Sequence, residues 1–181
     1  MAEPAVTELA RSDPDLHVIW RAYELRPEPA PTLDPDGEYL HRVWDASVYP
    51  MAAQMGITMK LPPVQPRSRL AHEAAHWARA QERFDDYNEA VFHAFFEHGR
   101  NIGQVEVLTD LAQSLGLEGD TLREALKTGA YTQSVLDDER LAHEMVLTGV
   151  PAFVANRTVA LPGVRPVEHL RQLVAHARNA R

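Results

Sequence analysis

No cysteine occurs among the 181 residues. Disulfides, thiolate metal sites and a cysteine nucleophile are therefore excluded within this chain. Basic residues are also scarce: 18 Lys and Arg against 26 Asp and Glu leave a formal net charge of −8. Such a surface repels phosphate backbones and anionic headgroups, so neither nucleic acid nor a membrane is expected as partner. No apolar run reaches the roughly 20 residues that a membrane span needs. Met1–Glu8 lacks the basic and apolar regions of a signal peptide, which makes a cytoplasmic location the expectation. A Gly-rich phosphate loop and a Gly-x-Ser-x-Gly elbow are absent as well.

What is present reads as one soluble domain, or a core with one insertion, since apolar residues make up 45% and charged residues 24%. Residues 4–11 read as two turns of helix, and Ser12–Asp15 as a turn. Leu16–Tyr23 is rich in β-branched and aromatic residues and predicts a strand. Pro27, Pro29, Pro31 and Pro35 forbid helix in the loop that follows. A helical region from Gly37 to Met55 is expected to break or kink at Pro50. After the rigid Pro62, Pro63 and Pro66 connector, five helices are predicted, the first capped by Ser68 and the fourth by Asp120. The fifth, from about Tyr131 to Leu147, leads into Thr148-Gly149-Val150-Pro151-Ala152-Phe153-Val154. Gly149 is placed to stop that helix in the left-handed region, and Pro151 suits the first residue of a strand. Asn156-Arg157 turns the chain into a hairpin partner over Thr158–Leu161, and Pro166 opens a last helix.

Thr148–Val154 with its hairpin and terminal helix resembles the end of a thioredoxin fold, specifically the DsbA-like group of FrnE-like thiol oxidoreductases. Val18–Pro27 resembles that family's second strand, and Met59–Pro62 with Ser68–Ala75 the entry to its helical insertion. The resemblance implies an α/β, thioredoxin-like sheet with an all-helical insertion, the core formed by residues 1–55 and 148–181 and the insertion by 56–147. It also implies that Pro151 is cis and that Gly149, Val150 and Pro151 line a groove for a protein or peptide substrate. The family's activity is thiol–disulfide exchange and implies no cofactor. Only residues 4–11 stand where the family has a first strand and a Cys-x-x-Cys helix, so that central strand and the catalytic pair are missing and the chain is expected to be redox-inactive. An unpaired edge and an exposed apolar slot should result. Three routes out are a natural start upstream of Met1, a strand or cover from another chain, including a homodimer through the sheet edge, and re-pairing of the second strand. The first is the expected origin and the second the expected physical consequence.

Competing readings attach to other residues. The 2-hydroxychromene-2-carboxylate isomerases share the fold and use glutathione with an N-terminal serine, but only Ser12 precedes the second strand here. His72-Glu73-Ala74-Ala75-His76 matches the zinc-protease pattern, with His72 and His76 one turn apart as ligands and Glu73 as general base. Asp85, Asp86, Glu89, His93 and Glu97 are the possible further donors; so short a motif more often matches by accident, and no metal is the expectation. His93 and His98 read as surface histidines, and Asp137-Asp138-Glu139 as a solvated face. Trp20, Tyr23 and Trp44 would line a groove, although such aromatics are more often core. A non-catalytic module that binds peptide or dimerises remains the reading that needs no thiol.

Overall fold

The computed structural model describes residues 1–180. The chain divides into two compact units, Met1–Leu25 with Glu139–Arg181, and Arg26–Asp138.

In the first unit, helix α1 (Glu3–Ser12) has proline in its first turn and Arg11 in its last, both favourable positions. It buries Val6 and Leu9 against Leu170 of the C-terminal helix, with Leu16, Trp20, Phe153, Leu161, Val167 and Val174 packed around them. Arg171 reaches Glu8 at 3.1 Å, and Arg178 reaches Asp13 at 2.8 Å, tying the two helices at their surfaces. The sheet is a hairpin of β1 (Ala152–Ala155) and β2 (Val159–Pro162), antiparallel, with Ala152 opposite Pro162 and Ala155 opposite Val159. Asn156 and Arg157 at the turn have φ of 50° and 59°, the left-handed pair that a primed hairpin turn requires.

The expected strand over Leu16–Tyr23 does not form: the described residues hold only the two strands of this hairpin. A strand exists only by pairing with a neighbour, and β1 pairs with β2 alone. Composition marks which residues suit a strand but cannot supply the partner.

The second unit is helical: α2 (Glu38–Val43), a π-helical segment (Trp44–Val48), α3 (Tyr49–Gln54), α4 (Arg69–Ala80), α5 (Phe84–Phe96), α6 (Val105–Ser114) and α7 (Gly119–Thr128). Helix α8 (Thr132–Glu144) crosses the division after Asp138. At the predicted break or kink near Pro50 the helix widens locally, and a π segment separates α2 from α3. Proline offers no amide and its ring crowds the carbonyl four residues back; the π segment just before it relieves that conflict, and α3 takes Pro50 in its first turn. Ala74, Ala78, Tyr87, Leu108, Ala112 and Leu122 are completely enclosed, and the Tyr87 hydroxyl donates to the Leu108 carbonyl at 2.9 Å. Burial raises the Tyr87 pKa, which keeps the hydroxyl a donor. Ser68 precedes α4 without a side-chain cap bond, and α7 begins one residue before Asp120, which lies in its first turn.

A candidate peptide groove at Thr148–Val154

The candidate groove lies wholly within the first unit. Helix α8 delivers the chain to it. After Glu144 the Val146 N–H donates to the His143 carbonyl at 2.9 Å and the Leu147 N–H to the Ala142 carbonyl at 2.9 Å. These two bonds make a Schellman exit, which needs one residue in the left-handed region. That residue is Val146, at φ 58°. Gly149, expected to play this part, has no positive φ, so the helix stops three residues earlier than its glycine suggests.

Two hydrogen bonds bracket the loop. Before it, the Tyr23 hydroxyl donates to the Leu147 carbonyl at 3.3 Å, with the Tyr23 ring edge-on to His143 at 6.3 Å. Beyond it, the Gly163 N–H donates to the Pro151 carbonyl at 2.8 Å and fixes the loop to the end of β2. The Val150–Pro151 peptide is cis. Val150 is 52% exposed, and no other described residue hydrogen-bonds to its N–H or C=O. Phe153 then turns into the apolar cluster while Val154, on the opposite face of β1, is exposed. Val18 and Ile19 are exposed as well.

In the same unit, the Glu24 N–H donates to Glu139 Oε1 at 3.3 Å, and both glutamates are buried. This corrects the reading of Asp137–Glu139 as a solvated face. Val135, Asp138 and Glu139 follow the inward helical spacing and are buried, while Asp137 is outside and accepts from Gln133. Charge alone suggested solvent; helix phase set by Val135 would have found the inward pair. Tyr23 reaches the Thr148–Val154 loop through its hydroxyl on the Leu147 carbonyl. Trp20 packs with the apolar cluster, and Trp44 packs in the helical unit against Tyr49 and Phe96.

The zinc-type motif resolves differently. On α4, Glu73 is buried, its Oε1 accepting from the Thr132 hydroxyl at 2.8 Å, and its Oε2 has no hydrogen-bond partner. His76 Nε2 lies 3.0 Å from the buried Asp138 Oδ2. Among the described residues no three His, Cys, Asp or Glu side chains gather to hold a metal. Four of the five donors proposed to complete the set have other partners: Asp86 pairs with Arg83, and Glu89 and Glu97 flank His93. Glu73 is therefore placed as a packed helix contact, away from any shared ligand set with His72 and His76. Ser12, the serine that an isomerase reading would need, donates its hydroxyl to the Leu9 carbonyl at 2.9 Å and closes α1. His98 is exposed, in the turn after α5.

Comparisons with known proteins agree with the scaffold. The sequence pattern of the DSBA-like thioredoxin domain matches residues 1–175. The uncharacterized protein YwbO of Bacillus subtilis (strain 168) is 37% identical over 163 residues, spanning 88% of this chain and 81% of that protein. A probable DsbA oxidoreductase from Streptomyces coelicolor superposes with a TM-score of 0.79 at 23% identity, over 99% of this chain and 84% of that one. A solved 2-hydroxychromene-2-carboxylate isomerase superposes with a TM-score of 0.74 at 19% identity, over 99% of this chain and 88% of that one. At these identities the two solved structures speak for the fold alone.

Proposed function

Because the chain belongs to the DSBA-like thioredoxin-domain family, we propose that it binds an extended polypeptide segment along Thr148–Val154 and carries out no disulfide exchange through thiols of its own. Exchange requires a thiolate to attack a disulfide sulfur, and the chain has no cysteine. The observation that carries the binding reading is Val150: an exposed residue whose N–H and C=O both lack partners among the described residues, between two anchored carbonyls. An extended ligand would supply the complementary N–H and C=O, as strand addition does elsewhere. Val150 and Val154 would then offer apolar contact beside the backbone bonds. The FrnE-like character, a cytoplasmic setting and self-association through the free edge of β1 belong to the same proposal. No helix is long and apolar enough to cross a membrane among the described residues.

Three measurements test it. In an insulin-reduction assay the protein should not raise the rate above the uncatalysed background; measurable turnover would overturn the redox-silent reading. Fluorescence anisotropy with carboxamidomethylated insulin B chain, an unfolded peptide with its thiols blocked, should give a saturable isotherm that Val150→Pro abolishes, because proline removes the free N–H. An isotherm unchanged by that substitution would sink the groove. Light scattering tests the edge, where a strict monomer at micromolar concentration removes self-association from the proposal.

A further inference from the structure

Elsewhere in the chain, helices leave through the left-handed region at Gly56, Gly99, Gly116 and Gly129, with φ between 63° and 75°, and α4 leaves at Glu82, φ 58°. Glu82, Asn156 and Arg157 also adopt positive φ, but none is β-branched. Val146 is the β-branched exception among the described residues, and it stands at the exit into the candidate groove. A branched Cβ in this region crowds the following carbonyl, so the conformation is costly and persists only where the surroundings over-determine it. Burial does not compensate, because Val146 is 80% exposed. Glycine would remove the crowding, so stability alone does not account for valine here.

Hydrogen bonds from two sides over-determine the conformation. The two Schellman bonds fix Val146 and Leu147 to the end of α8, and the Tyr23 hydroxyl holds the Leu147 carbonyl from the other side. Once placed, valine has one narrow well to occupy, whereas glycine has several. We infer that Val146 is a positioning residue which, together with the Tyr23 hydroxyl, presets the Thr148–Val150 loop so that the free Val150 backbone is presented to an extended peptide. The inference rests on the groove reading above and assigns to Val146 and Tyr23 the pre-ordering that binding would otherwise have to supply.

The test compares wild type, Val146→Gly and Tyr23→Phe. For Val146→Gly the urea midpoint should rise, because the crowding is gone, while affinity for carboxamidomethylated insulin B chain falls about tenfold, the cost of ordering roughly one freed residue. For Tyr23→Phe both midpoint and affinity should fall. A higher midpoint with unchanged affinity in Val146→Gly would mean a strained cap and nothing more, and would overturn the inference. If wild type does not bind the probe, the groove reading fails on its own. Amide exchange of Leu147–Val150 then decides the positioning claim: faster exchange in Val146→Gly supports it, and unchanged exchange overturns it.

Discussion

The two units expose different kinds of apolar residue. In the helical unit the large exposed apolar side chains are Tyr39, Tyr49, Met51, Met55, Phe92 and Leu136, and none is β-branched. In the smaller unit they are Val18, Ile19, Leu25, Val146, Val150 and Val154, and all but Leu25 are. Aromatic and thioether side chains on a helix surface are ordinary scatter. Of the five β-branched residues only Val154 lies in a strand, so the others lack the pleated surface that suits them. Helices satisfy their backbones internally, so residues 26–138 close a core from their own sequence. A strand cannot, and the smaller unit builds only a hairpin over Val6, Leu9 and Leu170. The candidate groove thus lies in the unit whose hairpin pairs with no third strand among the described residues.

The largest effect that sharpens this contrast is a cavity in the helical unit. Leu122 is completely buried, and Leu122→Ala should cost about 2–5 kcal/mol in urea unfolding. Val154→Ala, on the exposed face of β1, should cost less than about 1 kcal/mol. Comparable costs at the two sites would mean that the face around Val154 is already covered, and the distinction between the units would fall.

What was readable from the sequence divides along the same line. Local signals held for the five helices, three of which leave through the expected glycines Gly99, Gly116 and Gly129, for the Asn156–Arg157 turn, and for α9 (Val167–Asn179), which starts directly after Pro166. Everything that needed a partner was harder. Leu16–Tyr23 has strand composition but no strand, because pairing is non-local. Pro50 marked a break or kink, but periodicity cannot anticipate the π segment that stands beside it. The cis Val150–Pro151 peptide was visible through the family resemblance, whereas the Tyr23 hydroxyl on Leu147 joins residues 124 positions apart and left no sequence signal. His72 and His76 showed the reverse: a local pattern with no convergent third ligand among the described residues.

A middle-sized effect probes the polar contacts within the helical unit. Thr132→Val keeps the shape but removes the donor to Glu73, whose other oxygen already lacks a partner. A buried carboxylate without a hydrogen bond should cost about 1–3 kcal/mol. If the urea midpoint does not move, Glu73 finds solvent and the core of the helical unit is open to water at that point.

Smaller still are two titrations, one per unit and of opposite sense. The Arg178 hydrogen bond and charge lower the Asp13 pKa below its ordinary 3.8. Its contribution is present above that ordinary value and is lost as pH falls through the lowered one. For His93, burial works against the charged ring, but the Glu97 and Glu89 carboxylates outweigh it and the pKa is raised above 6.5. That contribution is present below 6.5 and is lost as pH rises through the raised value. By NMR titration, Arg178→Ala should return Asp13 upward, and Glu97→Gln should return His93 downward. Either midpoint staying put would remove the corresponding ion pair from solution. His93 is exposed and Asp13 partly exposed, so added salt should shrink both shifts.

The smallest effect is the most discriminating for the groove. If Gly149 ended α8 in the left-handed region, Gly149→Ala would carry the roughly 1–2 kcal/mol that a Cβ meets there. The structure gives that geometry to Val146 and leaves Gly149 with ordinary φ and no atom within 4 Å of an added Cβ. Gly149→Ala should therefore be neutral, or slightly stabilising by up to about 1 kcal/mol through a less free unfolded chain. The same substitution should leave peptide binding intact, because it touches neither the Val150 N–H nor its carbonyl. A loss of stability would put the left-handed stop back at the glycine and take the strain, and with it the positioning role, away from Val146.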